Sequence, residues 1–222
     1  MCQRQNEVRE CYMNKKLIAI LLAMLLFSLS ACGMFSSVKT STIYVNKKGK
    51  VTSTTISSLP AEQYNKDELK KSIDEAVSAY NSGKEKDEIT LDTFKVKKEQ
   101  ATLKLIYATS DDYEIFNGRT LFVETVAEAK AAGYDFDGDF LDKEQGAIKG
   151  SAILKETGDA MVIITNEPVQ IQTVKDILYT SDNATIIDKR LAQVEAEAGA
   201  TDNGITFGNE KNAYIIYGEL KK

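Results

Sequence analysis

Hydrophobic and polar positions divide the chain into a leader, a tether and a patterned body. The leader, Met13–Gly33, sets Lys15 and Lys16 before an apolar run, Leu17–Leu29, and ends on small residues and a cysteine. That run is shorter than the roughly 18–20 residues a membrane-spanning helix needs, and the basic, apolar, small-residue order is that of a cleavable export signal. Gly33–Ser41 lacks periodicity and reads as a tether. Fully extended, it spans roughly 30 Å at ~3.3 Å per residue.

The body opens with a hairpin pattern: Ile43 and Val45, a turn at Asn46-Lys47-Lys48-Gly49, then Val51 and a Thr/Ser-rich run to Ile56. After Pro60, Leu69, Ile73, Ala76, Val77 and Tyr80 recur at helical spacing and predict an amphipathic helix over Lys66–Asn81. Asn65 is its cap and Gly83 its stop. Ile89–Ala108 alternates on both sides of Lys97-Lys98-Glu99 and reads as a second hairpin, with Leu103, Leu105 and Tyr107 on one face. Two short helices follow. Ser110 is expected to cap Asp111–Asn117 and Gly118 to close it; Thr125 with Glu128 forms a capping box for Val126–Ala132, stopped by Gly133.

From Ala147 the pattern is strand-like: Ala147–Lys155, Ala160–Thr165, Val169–Val174, Ile177–Thr180, Ala184–Asp188 and Ala213–Tyr217, with Leu121–Val123 a brief strand earlier. Short strands joined by short turns imply antiparallel pairing rather than βαβ crossovers. Leu191–Gly204 reads equally as helix or exposed loop. The expected class is α+β: mostly antiparallel sheet built from hairpins, with one long amphipathic helix and one or two short helices packed on it.

Leu29-Ser30-Ala31-Cys32, followed by Gly33, resembles the lipobox of bacterial lipoproteins. That resemblance implies a diacylglyceryl group on the Cys32 thiol, cleavage just before it, and a mature chain that begins at Cys32. The membrane would then be a partner through that lipid, and the location the extracytoplasmic face of the cell membrane. Met1–Tyr12 precedes a complete signal with its own methionine and reads as a misassigned start. Residues 1–31 are thus the signal, 32–41 the lipidated cysteine and tether, and 42–222 a single globular domain. The mature chain also resembles small surface lipoproteins of monoderm (Gram-positive) bacteria that begin with TIYV-x-K-x-G-x-V-T, here Thr42–Thr52. The likeness extends to Asp112–Gly118 (DYEIFNG) and implies a surface location, but no activity.

Without residues 1–31, 24 basic residues stand against 31 acidic ones, a net charge of about −7. That balance argues against nucleic acid, which needs a basic patch. Cys2 and Cys11 leave with the leader, so no disulfide can form. The sequence has no histidine, which removes Ser-His-Asp and Cys-His catalysis and most zinc sites. No phosphate-binding, dinucleotide or nucleophile-elbow motif is present, so no cofactor is expected and catalytic residues cannot be nominated.

What remains is carboxylate chemistry. The densest cluster, Asp135, Asp137, Asp139 and Asp142, has a superficial likeness to a calcium loop. Its glycine and twelfth position fall in the wrong places, so an acidic surface turn is the better reading. Lys47, Lys48 and Lys50 make a basic hairpin tip, either solubilising or aimed at anionic headgroups. The expected function is a membrane-anchored binding or scaffolding module with a protein or glycan partner at the surface. The alternative is a carboxylate-based hydrolase of surface glycans.

Overall fold

The structure, a computed structural model, describes residues 40–58, 64–157, 159–197, 201–202, 205–206 and 209–219. The leader, Cys32, all but the last two residues of the tether, and Pro60 lie outside the described residues. The elements are, in order, β1 (Thr42–Val45), β2 (Val51–Ser58), α1 (Lys66–Asn81), β3 (Ile89–Lys97), β4 (Gln100–Tyr107), α2 (Ser110–Asn117), β5 (Leu121–Thr125) and α3 (Val126–Ala131). They continue with β6 (Asp139–Asp142), β7 (Ala147–Lys149), α4 (Gly150–Glu156), β8 (Met161–Thr165), β9 (Gln170–Gln172) and β10 (Ile177–Ser181). The last are β11 (Ala184–Asp188), β12 (Leu191–Val194), β13 (Thr201–Asp202), β14 (Ile205–Thr206) and β15 (Ala213–Tyr217).

A seven-stranded sheet runs β11-β12-β9-β1-β2-β4-β3 and a six-stranded sheet runs β5-β8-β15-β10-β6-β7, with β13 and β14 a separate pair. All pairings among these strands are antiparallel except β1 with β9, where Ile43 lies opposite Ile171. The expected α+β class is therefore wrong: the described chain is mostly β. What covers the first sheet is chiefly a second sheet. Ile43, Val45, Val51, Leu103, Leu105 and Tyr107 from the first share one apolar cluster with Leu121, Ile163, Ile177, Ile215 and Tyr217 from the second. Interdigitating inner faces of this kind are what hold a β-sandwich together.

The six-stranded sheet is covered on both faces. On its other face Val162, Ile164 and Ile216 pack with Val126 and Ala129 of α3, Ile153 of α4, and Phe136 and Phe140. Burial on both sides explains why β8 (MVIIT) and β15 (AYIIY) are nearly unbroken apolar runs rather than alternating ones. β4, with one face to the core and one outward, keeps strict alternation, and Ala101, Leu103, Leu105 and Tyr107 are all buried.

α1 has the predicted span, and the Asn65 side chain accepts from the Asp67 and Glu68 amides. Ile73 and Ala76 are buried while Leu69, Val77 and Tyr80 pack at the margin of the same cluster. The helix packs beside β3, the last strand of the seven-stranded sheet.

Three local expectations fail for identifiable reasons. Ala147–Lys155 is not one strand: β7 gives way to α4 at Gly150, whose amide donates to the Gly138 carbonyl and whose Cα lies so close to the Phe136 carbonyl that a Cβ would collide with it. Thr109, not Ser110, caps α2, because its hydroxyl and the Asp112 carboxylate close a reciprocal capping box. The ambiguous stretch from Leu191 contains strand β12, fixed by antiparallel partners on both sides, β11 and β9.

Candidate binding cleft

Each residue singled out by sequence has a definite place or lies outside the described residues, as Cys32 does. The four aspartates do not converge. Asp135 accepts the Asp137 amide, Asp139 pairs with Lys149 across β6 and β7, and Asp142 accepts the Glu144 and Gly146 amides. Two thus shape turns and one forms an ion pair. The stretch is not simply an acidic turn either: β6 begins inside it, and Phe136 and Phe140 point into the core against Tyr214. Among the described residues, no group of three or more metal-ligating side chains is assembled.

The DYEIFNG segment is a structural knot. Asp112 accepts from Thr109, from the Tyr80 hydroxyl at 2.9 Å and from the Lys84 ammonium at 3.2 Å, so it ties the end of α1 to the start of α2. Tyr113 donates to Glu167, Glu114 accepts the Leu121 amide, and Asn117 donates to both the Tyr107 hydroxyl and the Tyr113 carbonyl. Phe116 meets Tyr80 and Tyr107 edge-on, and Gly118 closes α2 at a φ of 63°. Only Ile115 turns outward, 72% exposed. The similar strings Leu105–Asp112 and Ile177–Asn183 fold differently: the first ends in α2 and the second in the β10–β11 turn, so they are not a repeat.

A cleft of about 690 Å³ opens at one end of the sandwich, between the turn after β1 and β5, the last strand of the six-stranded sheet. Val45, Val123, Met161, Val174 and Tyr217 give it an apolar floor continuous with the inter-sheet core. Lys47, Lys175, Glu124, Asp159 and Glu219 supply its charged rim. Lys175 and Glu219 pair at 3.1 Å, and Glu124 is engaged by Glu128. The Glu124 carboxyl is held above its ordinary range, first by desolvation, then by the neighbouring charge and hydrogen-bonding carboxyl of Glu128, with Asp111 adding to it. Glu128 is pulled the other way by the Thr125 hydroxyl and amide that it caps.

The outer side of β5 is bordered by α2 and by the start of α3. The amides of Leu121 and Thr125 donate to the side chains of Glu114 and Glu128, while the Val126 amide donates toward β8 at Ala160. Because the direction of backbone groups alternates along a strand, Val123 directs its N–H and C=O away from β8, toward the outer side of the sheet, where α2 packs. Sequence reading did not find this site. Its side chains come from five separated segments, and only a completed sandwich brings them together.

Neither the family models, the curated proteins nor the solved structures compared with this chain give a match. The site's chemistry therefore rests on its own geometry.

Proposed function

We propose that the protein is a lipid-anchored binding module on the extracytoplasmic face of the membrane, held by a diacylglyceryl group on Cys32. The cleft beside β5 is what it presents to a partner. The lipobox supports the anchor, and no described helix is long and apolar enough to cross a membrane. The observation that carries the binding role is the pairing of an apolar floor with a rim of both charge signs in one open cleft. Such sites desolvate apolar groups while a few polar ones fix orientation.

In-cell photo-crosslinking tests this reading. A crosslinker at Lys47 should capture a discrete neighbour that the same group at Lys70, on the exposed side of α1, does not. Equal capture from both positions, or none from Lys47, contradicts it.

One observation favours a second reading, glycan hydrolysis: three carboxylates line the cleft and Glu124 is held toward its protonated form, as a general acid requires. Release of sugar from surface glycan that disappears in both Glu124→Gln and Asp159→Asn would establish it; turnover unaffected by these substitutions would dismiss it.

A further inference from the structure

We infer that the β3–β4 hairpin is a membrane-contact surface: Lys95, Lys97 and Lys98 lie against anionic lipid headgroups and turn the cleft away from the bilayer. The inference rests on the Cys32 anchor proposed above and adds the surface that orients the domain on it. Two independent observations carry it, the direction in which the chain enters the sandwich and the charge at the end it enters.

The first is topological. The Ser41 hydroxyl accepts from the Ile56 amide at 2.9 Å and donates to the Ile56 carbonyl, so the incoming chain lies alongside the last part of β2. β1 then runs from Thr42 to Val45 at the cleft, and its parallel neighbour β9 runs the same way toward Val174, which also lines the cleft. The cleft, with Lys47, is therefore at the opposite end of the sandwich from the chain's entry. β2, β4 and β3 continue past that entry. Ser58 pairs with Gln100 and Gln100 with Lys97, four residues beyond the Thr42–Thr54 pair, or roughly 13 Å at ~3.3 Å per residue. The β3–β4 turn is thus a projecting tip at the entry end. Thr40 lies eight residues after Cys32, a reach of at most roughly 28 Å, so an anchor on Cys32 keeps this tip within reach of the bilayer surface.

The second observation is charge. Lys95, Lys97 and Lys98 are exposed, with Glu99 the one acid of the turn. α1 is tied by Asn81 to Ile89 at the start of β3. It rises roughly 24 Å against roughly 30 Å for β3, so Lys66, Asp67 and Glu68 in its first turn stop short of the tip. Glu195 and Glu197 leave the same end after β12, with β9 and β1 between them and the β2-β4-β3 strands, and Glu197 accepts the Glu210 and Lys211 amides. Positive charge at the entry end is therefore concentrated on the hairpin, and basic residues held within a Debye length of an anionic bilayer are drawn to it. Lys47, Lys48 and Lys50 have comparable charge but occupy the end away from the anchor.

The test uses the full lipidated chain in vesicles of phosphatidylcholine alone or mixed with phosphatidylglycerol. A fluorophore is placed at Ser58→Cys, near the tip, or at Lys48→Cys, on the opposite turn, and a nitroxide-headgroup lipid is the quencher. With Cys32 acylated and the leader removed, the introduced thiol is the sole one in the chain. The Ser58 probe should lose most of its emission in the mixed vesicles and less in phosphatidylcholine alone, and the Lys48 probe should lose little in either. Joint Lys95→Glu, Lys97→Glu and Lys98→Glu substitution should return the Ser58 signal to its phosphatidylcholine value while vesicle binding stays unchanged. If that variant fails to fold, the wild-type chain in high salt decides, because screening removes the same attraction. Equal quenching at both positions, stronger quenching at Lys48, or a Ser58 signal indifferent to phosphatidylglycerol overturns the inference and leaves the anchor reading intact. A chain whose Cys32 carries no lipid by mass overturns both.

Discussion

The Tyr113 hydroxyl donates to the Glu167 carboxylate at 2.5 Å, linking α2 to the β8–β9 turn where both side chains are buried. Desolvation raises the Glu167 carboxyl above its ordinary range, with the Tyr113 bond and the Arg119 charge opposing the rise. Tyr113→Phe leaves that carboxylate without its donor and should cost about 1–3 kcal/mol, read by denaturant unfolding near neutral pH. A group whose folded pKa is raised stabilises most below its unfolded pKa and loses that contribution as pH rises through the folded value. Wild type should therefore lose ground relative to Glu167→Gln as pH rises above the unfolded value of about 4.3, and parallel pH profiles would count against this assignment.

Asp112 behaves in the opposite sense. Burial would raise its carboxyl, but hydrogen bonds from Thr109, Tyr80 and Lys84, with the Lys84 charge, outweigh burial and hold it low. Its stabilisation is present above the unfolded pKa of about 3.9 and is lost as pH falls through the folded value. Asp112→Asn should cost about 2 kcal/mol at pH 7 and progressively less as pH falls below about 3.9, because charge-assisted hydrogen bonds are the stronger ones. A cost independent of pH would assign the residue a packing role only.

Ile73→Asp places an unpaired charge at a site 5% exposed and should destabilise the domain by more than about 3 kcal/mol. Leu69→Asp, at the partly exposed margin of the same face, should cost distinctly less. Thermal unfolding of the two variants separates them; equal shifts would mean that α1 is not seated as described.

The turn joining β3 and β4 holds Lys98 and Glu99 at φ values of 49° and 61°, a region that side chains larger than glycine enter at a cost. Two-residue hairpin turns with positive φ favour Asn-Gly. Glu99→Gly should raise stability by about 1 kcal/mol, and a fall in melting temperature would show that the side chain has a role that its turn geometry does not suggest.

Much of the framework was legible because its signals are local. The α1 face, the Asn65 cap, the Thr125–Glu128 box and the β4 alternation each follow from residues within one or two turns or a single strand. The class was not legible, because the deciding fact is that one sheet covers another. β8 and β15 carry that fact only as apolar runs, which do not say what lies on either face. The cleft was less legible still. Val45, Val123, Asp159 and Tyr217 meet only through long-range pairing, and the Asp135–Asp142 cluster drew attention by composition although its carboxylates serve turns and an ion pair.

Membrane attachment through Cys32 is the claim on which the location and role both depend. Two acyl chains at ~0.8 kcal/mol per buried CH₂ anchor stably where one gives reversible binding, and the net negative charge of the chain offers no substitute. The direct measurement secretes Gly33–Lys222 behind an ordinary cleavable signal and follows its partition between membrane and soluble fractions beside the full chain. The full chain should pellet with membranes and the lipid-free chain should remain soluble and folded. A lipid-free chain that pellets quantitatively and resists a high-salt wash would contradict the account and require a tightly bound membrane partner instead.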